Sequence, residues 1–588
     1  MKKLALVLAV VMVLSLGLTA CGGSTSSTGT ASSAPAGSSS SGSASDAAPA
    51  YNPDALQVKA LDDNTLQVTL TARTPYFLEL TAFPAYAPVQ QATVEANGEA
   101  WAVDAATYIG NGPYKIAEWV PSSHITMVKN ENYWNVDSLA GPDTLQFTLM
   151  EDDAAQLTAF QSGELDFIDA VPNDEIDALS STPEFYKEGQ IGTYYVSYNT
   201  QAAPFDDPLV RQAFTLAVDR DYICKQIGKS GQIPAGAFVS EGLSDAAEGS
   251  SFREVGGDYY DPTAGANEAN LAKAKELLAE AGYPNGEGLP TITYLYNEGT
   301  AHQQIGEALQ QMWGQLGATV TLESQEWATF LNTRKNGDYQ VARNGWLGDY
   351  NDPISFLDMW ITGGGNNDAQ WSNAEFDSLI KQIKSSGDAE ARMEMMHQAE
   401  DIIFDEWMLC PIYYYVDIYM AQQNLENLST SPLGFKFFMN ASNGTDTLKV
   451  CTGPDPDTID PALNSAVDGG TMIDHAFEGL YTVAYGTTPT PGQAESVEIS
   501  EDGLTYTFHL REGLKWSDGT PLTAHDFVYS WQRAVDPATG ADYAYMFECI
   551  AGYTEAINGE EYVAPAADAS SASTSESAAE SVSASTSE

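Results

Sequence analysis

Two low-complexity segments bound the part of this chain that can form a folded core. Residues 21–50 are mostly Gly, Ser, Ala and Thr, and residues 563–588 are rich in Ala, Ser, Thr and acidic residues. Neither segment has enough apolar surface to bury, so we predict a flexible linker and a disordered tail. The body between them, residues 51–562, is long enough to predict more than one structural unit.

The N-terminus predicts export. Lys2 and Lys3 precede an apolar run over residues 4–16, which is too short for a confident membrane span and is typical of a signal peptide covering residues 1–20. The residues before Cys21 resemble a bacterial lipobox, which implies that Cys21 is diacylated and that two acyl chains anchor the protein. The alternative is an ordinary signal peptide followed by a chance cysteine.

The charge and the remaining cysteines exclude several classes of partner. With 81 acidic and 25 basic residues, the net charge is -56, which repels nucleic acids and argues against adhesion to anionic lipid through basic patches. Four further cysteines show no CxxC spacing, which makes a zinc site improbable. They leave both disulfides and buried thiols open in an exported protein. These cysteines are Cys224, Cys410, Cys451 and Cys549.

Hydrophobic periodicity predicts alternating helices and strands. Leu271, Ala274, Leu278 and Ala281 share one helical face, and Gly282 is placed to end that helix. A helix over 302–316 followed by a strand over 318–322 favours α/β packing. Further predicted elements are a strand at 65–70 and helices at 374–384 and 388–406.

Signatures of catalysis are absent from the sequence. There is no GxSxG, HExxH or P-loop, no GxGxxG after a strand, and only 6 histidines. The residues imply no metal and no organic cofactor. We therefore predict a binding protein rather than an enzyme.

Several long motifs resemble one family, the oligopeptide-binding proteins of ABC importers (extracytoplasmic solute-binding family 5). The resemblance covers nearly everything from about residue 51 to residue 562. The motifs are residues 503–537 (GLTYTFHLREGLKWSDGTPLTAHDFVYSWQRAVDP), 111–114 (NGPY), 205–220 (FDDPLVRQAFTLAVDR), 341–356 (VARNGWLGDYNDPISF) and 411–416 (PIYYYV).

The order of these segments departs from the family. The stretch resembling the family's beginning, residues 444–562, comes last, and the stretch resembling its remainder, residues 51–443, comes first. Asn443-Gly444 joins the family's end to its beginning with residues suited to a turn. This order predicts a circular permutation with new ends near Asp54 and Gly559. The alternatives are a rearranged gene whose product is incomplete, and a domain-swapped dimer.

The resemblance implies a two-lobed, type II periplasmic-binding-protein-like α/β fold with a smaller satellite domain. One lobe covers about residues 193–416, and the permutation break falls in the satellite domain. The resemblance also implies that the lobes close on a short peptide.

The same resemblance implies roles for three charged residues. Asp349 matches the carboxylate that holds the peptide ammonium, with a turn-capping aspartate as the alternative. Arg343 matches a position that meets the carboxylate of shorter peptides, with a structural arginine as the alternative. His302 matches a position for the carboxylate of a slightly longer peptide, although a histidine at a helix start is often a surface residue.

The remaining site predictions concern walls and main-chain contacts. Trp327 and Trp346 are predicted to line side-chain pockets, with core packing as the alternative. Gly345 lies in the same motif as Trp346 and is predicted to face the ligand. Because side chains alternate along a strand, only one face of residues 413–415 sees the cleft, and we assign Tyr414 to it. Ser465 to Val467 match a strand that pairs with the peptide backbone.

These observations predict a monomeric lipoprotein on the extracytoplasmic face of the membrane, which captures oligopeptides and delivers them to an ABC permease. Related ligands in the family are nickel chelates, sugars and cell-wall peptides, and these remain alternatives. A peptide-sensing surface lipoprotein without transport is the alternative from another class.

Overall fold

The computed structural model describes residues 50–564 except 248 and 485–487. The predicted signal peptide, linker and tail lie outside these residues, apart from their innermost positions. The strands are β1 (Val58–Asp62), β2 (Thr65–Thr69), β3 (Tyr114–Val120), β4 (His124–Lys129), β5 (Thr144–Leu149), β6 (Phe167–Ile168), β7 (Phe185–Tyr198), β8 (Ile233–Pro234), β9 (Ile292–Asn297), β10 (Val320–Gln325), β11 (Val341–Leu347), β12 (Leu409–Ala421), β13 (Ser429–Thr430), β14 (Lys436–Phe437), β15 (Thr447–Gly453), β16 (Tyr481–Thr482), β17 (Thr490–Pro491), β18 (Ala494–Ile499) and β19 (Thr505–Leu510).

Helices occur along the described chain from Phe77 to Ile557. The α-helices are α1 (Phe77–Leu80), α2 (Gln91–Asn97), α3 (Asp153–Gln161), α4 (Ile176–Leu179), α5 (Pro208–Leu216), α6 (Arg220–Tyr222), α7 (Phe252–Gly256), α8 (Asn267–Glu280), α9 (Thr300–Gly314), α10 (Trp327–Lys335), α11 (Ile354–Leu357), α12 (Ala374–Ser385), α13 (Ala389–Asp405), α14 (Val467–Ala476), α15 (Ala524–Val535) and α16 (Tyr553–Ile557).

One large mixed sheet runs through both lobes. Its strand order is β10-β9-β11-β7-β12-β6-β15-β5-β4-β3, with β8 paired to β12. The antiparallel strands β7 and β12 are 14 and 13 residues long. The C-terminal half of β7 pairs with β11, whereas β6 joins the sheet at the far end of β12. These two strands therefore belong to both lobes and connect them.

Parallel strands within each lobe end on the cleft between the lobes. In one lobe β10 pairs parallel to β9, and β9 parallel to β11. In the other lobe β15 pairs parallel to β5 and to β6. Strand-helix-strand crossovers through α9 and α10 connect the first set, as the helix-strand alternation predicts. Loops that follow parallel strands meet at one edge of a sheet, where ligands commonly bind.

The satellite domain combines both ends of the described body. Its antiparallel sheet has the order β1-β2-β19-β18, and Leu66 in β2 lies opposite Phe508 in β19. The backbone N–H of Asn52 donates to the carbonyl of Ala556 at 2.9 Å. One chain therefore supplies both halves of this domain. Asn52 and Ala556, which lie near opposite ends of the described residues, meet there.

The elements predicted from periodicity are confirmed. The amphipathic helix over 302–316 is α9, whose inward side chains Ile305, Leu309 and Trp313 are almost fully buried. Burying a side chain of this kind contributes roughly 1.5–3 kcal/mol. Gly282 has a positive φ of 95° after α8, which is the conformation that ends a helix at glycine.

Two further findings concern thiols and the membrane. The four cysteines beyond Cys21 are free thiols, and all are buried, so the structure favours the second of the two options that the sequence leaves open. Within residues 50–564, apart from the omitted positions, no helix combines the length and the apolar content that a bilayer span requires.

Candidate functional site: a cleft between the two lobes

A cleft of about 540 Å³ lies where the loops after the parallel strands converge. One lobe contributes the loops after β9, β10 and β11, and the other contributes the loops after β5 and β15. Its volume and its polar and apolar lining are those of a site for a small organic ligand. Of the residues predicted to bind ligand, Asp349, Arg343, His302, Trp346, Trp327, Gly345, Ser465 and Val467 all line this cleft.

Asp349 follows the end of β11 and presents a partly satisfied carboxylate. Its Oδ1 accepts a hydrogen bond from the Tyr543 hydroxyl at 2.9 Å, and its backbone N–H donates to Ser355 Oγ at 2.7 Å. Its Oδ2 is buried and has no hydrogen-bond partner among the described residues. Burial raises the pKa of Asp349 well above its ordinary range, an effect that the Tyr543 hydrogen bond opposes. Such a carboxylate is poised to accept a cation.

Arg343 lies on β11, and its guanidinium is surrounded by tyrosines and by His302. Its Nη2 is 3.5 Å from the Tyr415 hydroxyl, and its Cζ lies 5.2 Å from the centre of the Tyr194 ring. No carboxylate forms an ion pair with it in the part of the chain that the structure describes. A buried cation without an anionic partner is costly, so an incoming carboxylate has a prepared place.

His302 lies in the first turn of α9, next to Arg343. Its Nδ1 is 3.2 Å from the Tyr194 hydroxyl, and its ring stacks on Tyr194 with centroids 5.7 Å apart. Burial and then the charge of Arg343 lower the pKa of His302 well below its ordinary value. The imidazole is therefore neutral at physiological pH and not an exposed surface residue.

A glycine and two tryptophans form the cleft walls next to these charged residues. A Cβ at Gly345 would collide with the hydroxyl of Tyr415, so glycine lets that tyrosine approach β11. Trp346 is 8% exposed and donates its indole N–H to the carbonyl of Ser355 at 2.8 Å, so most of its ring is core. Trp327 is the first residue of α10, and its ring lies partly open to the cleft.

Two local predictions are wrong. Tyr414 does not line the cleft, because its hydroxyl donates to the carbonyl of Ala237 on the other face of β12, and Tyr413 and Tyr415 line the cleft instead. Ser465 to Val467 do not form a strand. Ser465 and Ala466 are a loop that leads into α14, and Val467 is the first helical residue.

Sequence reasoning missed several residues that complete the site. Tyr543 comes from the satellite domain, far from Asp349 in sequence, and no motif marks it. Tyr194 lies on β7 opposite Gly345, and only the strand register reveals that position. Asn297 ends β9 and Glu298 follows it at the cleft, where a polar pair at the end of an apolar run is the one signal available.

Comparisons with known proteins agree with a solute-binding fold. The model for bacterial extracellular solute-binding proteins, family 5 Middle, matches residues 27–368 and 488–583. The dipeptide-binding protein DppE of Bacillus subtilis (strain 168) is 37% identical over 385 residues, which cover 65% of this chain and 69% of that protein. The oligopeptide-binding protein OppA of the same organism is 35% identical over 400 residues, covering 66% and 71%.

Solved structures give the same fold. The Haemophilus influenzae OppA complex with RPPGFSPFR has a TM-score of 0.60 at 28% identity, over 66% of this chain and 74% of that chain. The Escherichia coli murein tripeptide binding protein MppA has a TM-score of 0.59 at 30% identity, over 66% and 75%.

Fold and cleft together define a two-lobed solute-binding protein. The chain belongs to the bacterial extracellular solute-binding proteins, family 5. Proteins of this family bind solutes and are not enzymes, which confirms the prediction made from the absence of catalytic motifs.

Proposed function

We propose that this protein captures short peptides in the cleft by their two charged ends. The observation that carries the proposal is that an acidic residue, Asp349, and a cation, Arg343, line one cleft, and neither has an ion-pair partner among the described residues. They lie on β11 and the turn after it, at most roughly 20 Å apart at ~3.3 Å per residue. That span suits an extended peptide of a few residues.

A peptide of unspecified sequence offers a constant backbone and two charged ends. Asp349 would pair with the ammonium through its open Oδ2, and Arg343 with the carboxylate of a shorter peptide. His302 would donate to the carboxylate of a longer one. Main-chain groups of β11 at Gly345 and of the loop at Ser465, which line the cleft, would pair with the peptide backbone. Relatives named for dipeptide and oligopeptide binding support this choice over a neutral sugar.

The test is calorimetric titration of the full chain with a tripeptide and with its N-acetylated form. Acetylation removes the ammonium and leaves Asp349 buried without a partner, so we expect a loss of about 2–5 kcal/mol in binding free energy. The Asp349→Asn variant serves as the control, since it should bind both forms with similar, weak affinity. Equal affinity of the wild type for both peptides would contradict the proposal.

The proposed cellular role is that of a lipoprotein of an ABC importer. Diacylated Cys21 would hold the protein at the membrane through residues 21–50, and closed, loaded protein would dock on a permease. Labelling cells with an alkyne fatty acid tests the anchor, since Cys21→Ser should lose the label. Peptide uptake should be lost in the same variant if delivery depends on anchoring.

We further propose that the chain is a circular permutant of the family fold. The contact between Asn52 and Ala556 supports this, because a permutation needs its new ends at one place. Gly444 has a φ of 81°, and Asn443 Oδ1 accepts from the Thr445 N–H at 2.9 Å, a compact turn at the expected junction. A chain with 444–562 placed before 51–443 should fold and bind the same peptide. Loss of binding by that chain would contradict the permutation.

A further inference from the structure

One wall of the cleft carries an excess of carboxylates. Glu151 and Asp153 follow β5 in one lobe, and Glu298 follows β9 in the other. Glu326, which precedes α10, lies close enough to act on the charge of Glu151. None of these four carboxylates forms an ion pair within the described parts of the chain.

The carboxylates are held in place across the cleft. Glu151 Oε1 accepts from the backbone N–H of Trp327 at 3.1 Å, at the start of α10. Asp153 Oδ1 accepts from Thr300 Oγ1 at 2.9 Å, at the start of α9. Each lobe-to-lobe contact fixes a carboxylate at the cleft without neutralising it.

The charges on this wall are uncompensated. Burial, followed by the charges of Glu298 and Glu326, raises the pKa of Glu151 to about 7. Lys335 pairs with Asp542 at 2.5 Å. Arg343, the cleft cation that we assign to the peptide carboxylate, is not among the groups that act on the charge of Glu151.

A second observation points to the same missing group. Asn297 lines the cleft next to Glu298 and is 9% exposed. Its Nδ2 donates to the carbonyl of Glu298 at 3.1 Å, whereas its Oδ1 is buried and finds no partner among the described residues. A buried acceptor left unpaired is destabilising, so a hydrogen-bond donor on the ligand would satisfy this oxygen. Ammonium and guanidinium groups have donors only.

We infer that this wall is a subsite for a basic side chain, lysine or arginine, of the bound peptide. Glu298 and Glu151 pair with the cation, Asn297 Oδ1 accepts one of its N–H groups, and Trp327 covers the aliphatic stem. The inference rests on the proposed function. The wall lies near His302, away from Asp349, so the basic residue follows the first residue of the peptide.

Calorimetry with a lysine scan tests the inference. The probes are tetra-alanine and its variants with lysine or norleucine at positions two, three and four, bound to the full chain at pH 8. We expect lysine to bind at least tenfold more tightly than norleucine at one position. The double variant Glu298→Gln, Glu151→Gln should bind the lysine and norleucine peptides with equal affinity at that position. Glu280→Gln, exposed on α8, is the matched control and should change nothing.

A charge exchange adds a test that does not depend on loss of binding. Glu298→Lys should prefer glutamate over glutamine at the position where the wild type prefers lysine. Equal affinity for lysine and norleucine at every position, with tetra-alanine still bound, would overturn the inference alone. A lysine preference that survives the double variant would overturn the assignment to this wall. Failure of tetra-alanine to bind would overturn the proposed function itself.

Discussion

Tyr543 donates its hydroxyl hydrogen bond to Asp349 Oδ1 at 2.9 Å. This contact joins the satellite domain to the end of β11 at the charged end of the cleft. It occupies one oxygen of the carboxylate and leaves the other, Oδ2, without a partner among the described residues. The satellite domain therefore orients the group to which we assign the peptide ammonium.

This relationship predicts proton release when a peptide binds. Burial raises the pKa of Asp349 in the empty cleft, and an ammonium stabilises the ionised form. Affinity should therefore fall as the pH is lowered through that raised pKa. Titration in two buffers of different ionisation enthalpy measures the proton. In Tyr543→Phe, which loses a hydrogen bond to the ionised form, the fall in affinity should begin at a higher pH. If peptide binding released no proton at any pH, this assignment would be contradicted.

Arg343 should control the affinity for the carboxylate of a tripeptide. Arg343→Gln removes the cation, and we expect a loss of about 2–5 kcal/mol in binding free energy. Amidating the peptide should weaken binding to the wild type by a similar amount and leave the variant unaffected. If amidation weakens both proteins equally, the carboxylate lies elsewhere.

The same substitution should change the titration of His302. Burial and the charge of Arg343 both lower the pKa of this histidine. Without Arg343 the charge is gone and burial remains, so the pKa should rise and still lie below its ordinary value. NMR of the imidazole measures the shift. An unchanged pKa would show that the guanidinium does not act on His302.

Gly345 is predicted to be intolerant of even a methyl group. The Cβ of alanine would collide with the Tyr415 hydroxyl, and overpacking of this kind costs about 1–3 kcal/mol in the free energy of unfolding. Removing that hydroxyl with Tyr415→Phe in the same chain should recover most of the loss. Chemical denaturation of the wild type, the single variants and the double variant measures this coupling. Additive losses would contradict the collision.

His475 predicts a loss of stability in acid. It is fully buried, its Nε2 accepts from the Phe438 N–H at 2.9 Å, and its Nδ1 faces the Thr471 carbonyl at 2.7 Å. Burial lowers its pKa to about 4, below the unfolded value of 6.5. The unfolded state therefore binds the extra proton between these values, and stability should fall by up to about 3 kcal/mol as the pH drops from 6.5 to 4.

His475→Gln provides the comparison for this effect. Its carboxamide can accept from Phe438 and donate to Thr471, but it does not titrate. The difference between the two proteins in the free energy of unfolding should therefore narrow as the pH falls from 7 to 4. A constant difference would contradict the assignment to His475.

The sequence predicts where helices and strands lie better than it predicts the orientation of single side chains. The helix-strand alternation from 267 to 322 and the role of Gly282 follow from local periodicity and turn chemistry, so they are predictable without the fold. The placement of Tyr414 is not, because β12 has an irregular register against β7 between Pro411 and Tyr413 and between Tyr414 and Val416. Such an irregularity changes which face a tyrosine occupies.

The cleft itself depends on contacts between distant segments. The hydrogen bond from Tyr543 to one oxygen of Asp349 forms only because the satellite domain packs against the end of β11. The wall of carboxylates forms only where the loops after β5 and β9, from two lobes, come together. A motif supplies residue identities at one strand end, but the neighbours that set burial and charge come from elsewhere in the chain. The strand predicted at 465–467 rests on the family resemblance, and a loop at 465–466 that leads into α14 presents main-chain groups to the cleft instead.

Native mass spectrometry of the gently purified full chain tests the central claim most directly. We predict a monomeric mass that carries a series of small adducts, and fragmentation of these adducts should give peptide sequence ions. The Asp349→Asn variant, purified in parallel, should carry few of them. Adducts that are not peptides, or a chain that is bare in both forms, would contradict the assignment of this cleft to peptide capture.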